Sequence, residues 1–513
     1  MEMSELHLLA QGIIEGSALL LAFLVIIGVL TILVMYLVDI TQTEQTIRRN
    51  YPVVGRFRYF FEHLGEFFRQ YFFALDREEL PFNRAERSWV YRAAKQVDST
   101  VAFGSTRPLD QEGDIIFLNS AFPTLERDAV EPRPVTVGAD SCEKPYTTSS
   151  ILNVSGMSYG AISKPAVIAL AEGAGEAGIW MNTGEGGLSP CHLQGGCDIV
   201  FQIGTAKYGV RDKQGNLDDS KLKEVAAHEQ VRMFEIKMSQ GAKPGKGGIL
   251  PGGKVTAEIA RIRGIEEHSD SISPNGHVDI RSVDDLLNMI DRVRTVTGKP
   301  TGFKMVVGQL DFFHELFQTI HARGSNSAPD FITIDSADGG TGAAPEALID
   351  YMGMPLNESL PLVVDLLHEF GLRERIKIIA SGKMINPGKV AWALACGADF
   401  CTSARGFMFA LGCIQALQCN KNTCPTGITT HNKELQRGLV PDEKRKRVAA
   451  YAKAVGYGVG VIAHSCGVAE PRGLERKHMR VIEAGGASHN MADLHPLPGT
   501  RTEYEHVIAA SKP

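Results

Sequence analysis

Basic runs are missing from this chain. Its 53 Lys and Arg are outnumbered by 59 Asp and Glu, giving a formal net charge of −6. It therefore offers no electrostatic footprint for a polyanion, and no nucleic-acid partner is expected. A disulfide framework is missing as well: the nine cysteines follow no regular stapling pattern, and no cleavable signal peptide is evident. A reducing cytosol suits such a chain. Nor does any G-x-G-x-x-G close a strand and open a helix, so the fingerprint of a nicotinamide-binding doubly wound sheet is absent.

What is present begins with a charge-free run. Gly16 to Val38 reads GSALLLAFLVIIGVLTILVMYLV, which exceeds the about 20 apolar residues a helix needs to cross a bilayer core. A buried core helix would show a polar stripe, and this run has none. A signal peptide would pair a shorter apolar stretch with a basic start, whereas Glu2, Glu5 and Glu15 precede this one. Arg48, Arg49, Arg56 and Arg58 follow, so the positive-inside rule places the C-terminal body in the cytoplasm. The expectation is a single-pass cell-membrane protein with the lipid bilayer as one partner. Tyr51 to Leu80 is then rich in aromatic and basic residues, with Phe60, Phe61, Phe67, Phe68, Phe72 and Phe73 near helical spacing. Two readings stand: an amphipathic helix at the membrane surface, or a helix packed on the following domain with its rings in the core.

A hydrophobic content of 44% supplies an ample core. From about residue 150 the chain repeats strand, glycine-rich loop and helix. Expected strands are 151–154, 179–182, 199–203, 233–237, 302–306, 331–334, 376–379 and 399–402; expected helices are 164–177, 283–297, 310–323, 360–370 and 387–396. Short apolar runs of this kind suit strands buried on both faces. Eight of them predict an α/β fold, a (β/α)8 TIM barrel behind an N-terminal transmembrane helix. The gap between the second and third strands is too short for an ordinary helix. The glycine-rich stretch 239–278 reads as an active-site insertion, and 433–457 as a helix. The expected divisions are 1–42 for the tail and transmembrane helix, 43–135 for a juxtamembrane lead-in, 136–475 for the barrel, and 476–513 for a polar tail.

Cys413, Cys419 and Cys424 are spaced C-x5-C-x4-C, with Pro425 directly after. Three thiolates from one loop can hold three irons of a cuboidal cluster. They can equally be ordinary buried cysteines, or part of a zinc site completed by a ligand such as His431.

With Pro425-Thr426-Gly427, the loop resembles the three-iron, four-sulfur loop of glutamate synthases. Met157-Ser158-Tyr159-Gly160-Ala161 and Asn182-Thr183-Gly184-Glu185-Gly186-Gly187 look like that family's first two flavin loops. Gln240 to Gly245 with Gly247-Gly248 and Leu250-Pro251-Gly252 resembles a third signature, and Asp338-Gly339-Gly340-Thr341-Gly342-Ala343 a fourth. The likeness covers roughly residues 95–470. It implies the FMN-binding synthase domain, with FMN and a [3Fe-4S] cluster as cofactors and Cys413, Cys419 and Cys424 as metal ligands. Met157, Ser158 and Gly160 would approach the flavin, and Gln202 its pyrimidine edge, where an amide can both donate and accept. Ser381 and Gly382, with Ala404 and Arg405, would take the phosphate at the seventh and eighth strands. Asp338, Gly339 and Gly340 would close on the cofactor. Lys304 sits in an apolar strand, where a charge is costly unless used; beside flavin it would stabilise the reduced ring as a catalytic residue. Lys243 and Arg263 match positions where cations would take the carboxylates of 2-oxoglutarate. His277 and Asp279 also match.

The resemblance implies reductive amination of 2-oxoglutarate to L-glutamate by ammonia or another amine, through 2-iminoglutarate. Electrons would come from a donor such as ferredoxin or a membrane redox partner. The glutaminase domain of large relatives is not in this sequence, so ammonia would arrive from solution or a separate glutaminase subunit. Gly308 and Lys246 stand where relatives carry acidic residues, which keeps an N-methylglutamate synthase-like reaction open. A third reading is a non-catalytic electron-relay or scaffold subunit.

Overall fold

Between His7 and Val38 Glu15 is the only acidic or basic residue, and the backbone answers with one long helix. The computed structural model describes residues 3–98 and 100–498; the expected tail beyond 498 lies outside the described residues. Helix α1 (Met3–Thr41) is followed by α2 (Thr46–Asn50) and α3 (Gly55–Phe68), which widens into a π-turn over Arg69–Phe73. Residues His7–Thr41 are long and apolar enough to cross a membrane, with none of that window buried against the protein. The chain divides into two compact units, one ending at Arg84 and one beginning at Ala85. The juxtamembrane lead-in therefore contributes to both: Ile115–Phe117 and Val135–Val137 are strands of the second unit.

That second unit is a closed barrel of parallel strands: β1 (Leu152–Val154), β2 (Met181–Asn182), β3 (Ile199–Ile203), β4 (Val231–Lys237), β5 (Thr301–Val306), β6 (Phe331–Asp335), β7 (Lys377–Ser381) and β8 (Phe400–Ser403). Neighbours in sequence are neighbours in the ring, and β8 returns to β1 with Cys401 opposite Leu152. Each strand falls within two residues of its expected span. The crossovers are α4 (Lys164–Ala177), α5 (Asp219–Ala227), α6 (Val283–Thr297), α7 (Asp311–Arg323), α8 (Leu356–Glu369) and α9 (Pro387–Ala395), and α10 (Arg405–Leu411) follows β8. Between β2 and β3 stand a 3-10 turn, Gly184–Gly186, and a five-residue turn of helix, Pro190–Gln194.

Three expectations need correcting. Helix α5 was not expected; it is capped by Asp218, whose carboxylate accepts from Ser220 N and Lys221 N. Helix α8 starts a turn before its expected beginning at Leu360, because Pro361 is accommodated inside it. The helix expected over 433–457 is α11 (Pro441–Ser465), preceded by a short turn, Lys433–Gln436. It runs through the glycines after Tyr457 because Gly458 lies against Pro387, where a Cβ would come within 2.4 Å of the proline ring. The described part of the tail also gains structure: Met479–Ile482 pairs with both Ile115–Phe117 and Ser488–Asn490.

The barrel interior is graded from apolar to charged. At its N-terminal end a hairpin of Val135–Val137 and Tyr146–Thr148 brings Val137 and Tyr146 onto Trp180, Val200, Met233, Phe331, Ile379 and Phe400. Beneath this plug, Asp330 is wholly buried and holds Arg294 Nε at 2.9 Å, Arg375 Nη2 at 3.0 Å and the Thr301 amide at 2.8 Å. Asp330→Ala leaves two largely buried guanidinium groups uncompensated, a loss of about 3–5 kcal/mol. Chemical denaturation of the variant checks it; a loss below about 1 kcal/mol would make the cluster no stronger than a surface pair.

Candidate active site

Polar groups enter the barrel one layer above the plug. Glu235 on β4 is buried, and its carboxylate accepts from Asn182 Nδ2 at 2.8 Å, Gln202 Nε2 at 2.6 Å and Thr333 Oγ1 at 2.6 Å. One Gln202 amide hydrogen is thereby committed, and its second hydrogen and its carbonyl are left for a ligand. Nearer the mouth, Lys304 on β5 reaches Asp335 Oδ2 and Ser381 Oγ, both at 3.4 Å. These are long contacts for an ammonium with three donors, so Lys304 keeps capacity for a third partner.

At the C-terminal mouth an open cleft is lined by Glu185, Lys237, Gln240, Lys243, Lys246 and Asn275 among others. Lys237 Nζ lies 3.1 Å from Glu185 Oε2 and 2.5 Å from Gln240 Oε1. Burial works against the Glu185 carboxylate, yet Lys237, Lys243 and Arg263 outweigh it and hold the group ionised below its ordinary range. Burial and the neighbouring Lys237 pull Lys243 below a free lysine. Its ammonium touches the Ala343 carbonyl at 3.3 Å, which ties it to the loop after β6. The Arg263 guanidinium donates to Ser271 Oγ and the Tyr159 carbonyl, both at 3.1 Å, lies 5.1 Å over the Tyr208 ring, and is near enough to Glu185 to help hold it ionised. Its Nε is buried without a hydrogen-bond partner. His277 Nε2 meets the Lys237 carbonyl at 3.1 Å and Asp279 meets Lys207 at 2.9 Å, so both shape the loop.

The glycine signatures are required by close approach. A Cβ at Gly184 would stand 2.5 Å from Ser158 N, so the Met157–Gly160 loop and the 184–187 loop lie backbone to backbone. Gly241 donates to Asp335 Oδ2 at 3.0 Å, seating the 239–278 insertion on the end of β6. On the other side of the mouth the loops after β6, β7 and β8 converge. Asp338 pairs with Lys383 at 2.7 Å, Arg405 Nη2 donates to the Asp338 carbonyl at 3.2 Å, and Gly340 packs on the Arg405 side chain. Gly382 (φ 134°) and Lys383 (φ 50°) turn the backbone after Ser381 through conformations that bend it around the mouth. Lys383 and Ser336 outweigh burial and keep the Asp338 carboxyl below its ordinary range. Asp338 thus serves to fix Lys383, while the two cations and the loop amides are the groups suited to an anion.

The cysteine loop lies directly against the first glycine loop. His431 Nε2 is 2.8 Å from the Gly160 carbonyl, and Ser163 N donates to the Ile428 carbonyl at 2.8 Å. Lys254, almost fully buried, donates to the carbonyls of Thr429 at 2.6 Å, Cys419 at 2.9 Å and Ala161 at 3.5 Å. Gln415, Leu417 and Asn422 all adopt positive φ without being glycine, a concentration of strain typical of functional loops. Burial pushes the Cys413 thiol up to about 12, with Cys419 and Cys424 close enough to add to the shift. At Cys424, hydrogen bonds from Thr426 and Thr429 overcome burial and lower the thiol. Among the described residues no three His, Cys, Asp or Glu side chains form a single-ion site. That geometry fits neither the zinc reading nor His431 as a ligand. A cuboidal cluster makes a different demand, since each thiolate meets its own iron and the sulfurs need not converge on one point. Around the three thiols the loop places the Thr426 hydroxyl, 3.4 Å from Cys424 Sγ, and the buried Lys254 ammonium, 2.9 Å from the Cys419 carbonyl.

Reading the sequence missed Glu235, Lys237 and Lys254. Glu235 and Lys237 carried the signal that singled out Lys304, a charge inside an apolar strand. Lys254 closes the third signature, four residues after Leu250.

Comparison with known proteins agrees over the same region. The profile of a family described as "Conserved region in glutamate synthase" matches residues 96–469. A glutamate synthase large subunit-like protein, YerD, of Bacillus subtilis is 38% identical over 93% of this chain and 98% of its own length. An archaeal glutamate synthase (NADPH) of Methanocaldococcus jannaschii is 36% identical over 64% of this chain; the match spans only 61% of that protein. A large subunit-like protein of Rhizobium meliloti is 27% identical over 77% of this chain and 89% of its own length.

Proposed function

The chain belongs to the glutamate synthase family, and from that premise we propose that it is a membrane-anchored flavin and iron–sulfur enzyme that aminates 2-oxoglutarate reductively to L-glutamate. As a member of that family it is an oxidoreductase acting on CH–NH2 donors. The observation that carries the finer reading is the lysine-lined cleft around Glu185, open at the mouth of the barrel beside Lys304. A dicarboxylate needs opposed cations, and Lys237, Lys243 and Lys246 supply them. Glu185, held ionised beside Lys237, would orient that lysine and attract an ammonium ion, whose condensation with the keto group to the iminium releases water and no net proton. Gln202 and Lys304 would hold the flavin ring edge, with the Met157–Gly160 and 184–187 backbones against its face and Ser381–Lys383 with Ala404–Arg405 around its phosphate. FMN bound there would supply hydride transfer to the imine carbon, and a [3Fe-4S] cluster on Cys413, Cys419 and Cys424 would supply single electrons. Ferredoxin or a membrane redox partner is the proposed donor, and a separate glutaminase subunit a proposed source of ammonia.

The test is turnover of the anaerobically purified full chain under a chemical reductant, with 2-oxoglutarate and either ammonia or methylamine. L-Glutamate from ammonia is the expected product. Faster turnover of methylamine would move the assignment to an N-methylglutamate synthase-like reaction. No turnover of either amine by protein carrying intact flavin and iron would leave the relay reading. Lys243→Met is expected to raise KM for 2-oxoglutarate about ten- to a hundredfold with little change in kcat, the size of one charged hydrogen bond. An unchanged KM would remove Lys243 from the substrate.

A further inference from the structure

Four aromatic rings of α3, those of Phe57, Phe60, Phe61 and Phe68, are exposed. Phe57, Phe60, Phe61, Leu64 and Phe68 recur at i, i+3, i+4, i+7 and i+11, the spacing of one helix face, and Phe72 extends the row. Phe57 and Phe60 are each 59% exposed, Phe61 61% and Phe72 71%. They contact one another along the row, at 6.4 Å between Phe57 and Phe61 and 5.2 Å between Phe68 and Phe72. Arg58 and Glu62 pair at 3.2 Å away from the stripe. These rings are exposed, as a helix lying at a membrane surface would present them.

A second observation fixes where the row begins. Asp39 is the first ionisable residue after the charge-free run of α1, and its side chain is wholly buried. It receives Arg48 Nη2 at 2.7 Å, Arg56 Nη2 at 2.8 Å and the Val53 amide at 2.9 Å. Arg56 is the second residue of α3, so this clamp holds the first turn of α3 at the level where the apolar part of α1 ends. If α1 spans, that level is the edge of the hydrocarbon. Basic residues cluster at the same level, where anionic headgroups favour them, and the exposed phenylalanines of α3 follow.

We propose that α3 lies along the lipid–water boundary of the bilayer crossed by α1, with Phe57, Phe60, Phe61, Phe68 and Phe72 inserted at the acyl edge. The inference rests on α1 being a membrane span. Its effect is mechanical: the Asp39 clamp and the inserted row fix the path of the chain as it leaves the membrane, where a free linker would leave it unrestrained.

The test uses the full chain reconstituted into phosphatidylcholine–phosphatidylglycerol vesicles, with lipids brominated at the upper acyl positions. Phe60→Trp reports the stripe and Glu62→Trp the charged side, each read as the difference from the parent, whose Trp89, Trp180 and Trp392 belong to the second unit. Bromolipid should quench the added Phe60→Trp emission several-fold more than the Glu62→Trp emission, with acrylamide giving the opposite order. Equal quenching, or acrylamide access at Phe60→Trp, overturns the proposal. Protection of Phe60→Trp from both quenchers means a protein surface covers the stripe, and also overturns it. Flotation separates the premise from the inference: protein left outside the vesicles shows that α1 is not an anchor, and the proposal falls with it.

Discussion

Lys304→Met should lower glutamate formation by about a hundred- to a thousandfold, the loss seen when one preorganised electrostatic group is taken from a reacting centre. The lysine has been carried into an apolar strand, where an ammonium costs free energy unless something nearby uses it. Asp335 and Ser381 use it only in part, at 3.4 Å each. Its remaining donor capacity points toward the barrel mouth, where a flavin ring that gains negative charge on reduction would be stabilised by a fixed cation. The midpoint potential of bound flavin should therefore fall in the variant. Stability should change less than activity, because Asp335 keeps the Gly241 amide as a partner after the ammonium is gone. Lys304→Arg separates charge from shape: the planar guanidinium keeps the charge but not the geometry, so it should restore some of the potential and little of the rate. Wild-type turnover and potential in Lys304→Met would reduce Lys304 to a packing residue and remove the flavin from this end of the barrel.

The parts of this site that the sequence discloses are those where a local rule coincides with the tertiary demand. Helices α4 and α6 begin and end where expected because Gly178 and Gly298 stop them in left-handed turns, and Ser282 caps α6 on the Asp285 amide. Lys304 is visible because a charge inside an apolar strand has few structural explanations. Glu235 is no less buried, but its partners come from β2, β3 and β6, and spacing along one strand says nothing about three others. Helix α11 runs past its expected end for the same reason, since Gly458 answers to Pro387 on another helix and not to its own neighbours. Arg263 shows the limit from the other side. Its position matches a substrate-binding pattern, but that its guanidinium also holds Tyr159 and Ser271 could not be read from spacing. The course of the 239–278 insertion decides those partners, and contacts such as Gly241 with Asp335 set the course. The first and third glycine signatures were legible as motifs; that Lys254 pins both to the cysteine loop was not, because a lysine among glycines reads as solvent-exposed.

Replacing Cys413, Cys419 or Cys424 by serine should each remove the iron entirely. A cuboidal cluster held by three thiolates loses one iron's only protein ligand in any of the three variants, so the effects should be equal and should not add. An ordinary buried thiol behaves otherwise. Cys396 is wholly buried, with its thiol pushed up to about 12 by that burial, and Cys396→Ser should cost roughly 1 kcal/mol of stability while leaving the visible spectrum untouched. The comparison decides between the two remaining readings of the loop. Iron and acid-labile sulfide absent from all three loop variants, present in Cys396→Ser and in the parent, assign the loop to a cluster. Iron-free parent protein after anaerobic purification, or loop variants that keep their iron, leaves three structural cysteines. Lys254 gives this experiment its internal check. Its ammonium is buried against carbonyls of Cys419, Thr429 and Ala161, and the nearby thiols oppose the fall that burial imposes on it. A cation so placed is balanced when the loop carries negative charge and costly when it does not. Cluster-free serine variants should therefore lose more stability than Cys396→Ser does, and Lys254→Met should recover part of that loss in the cluster-free protein while weakening iron retention in the parent.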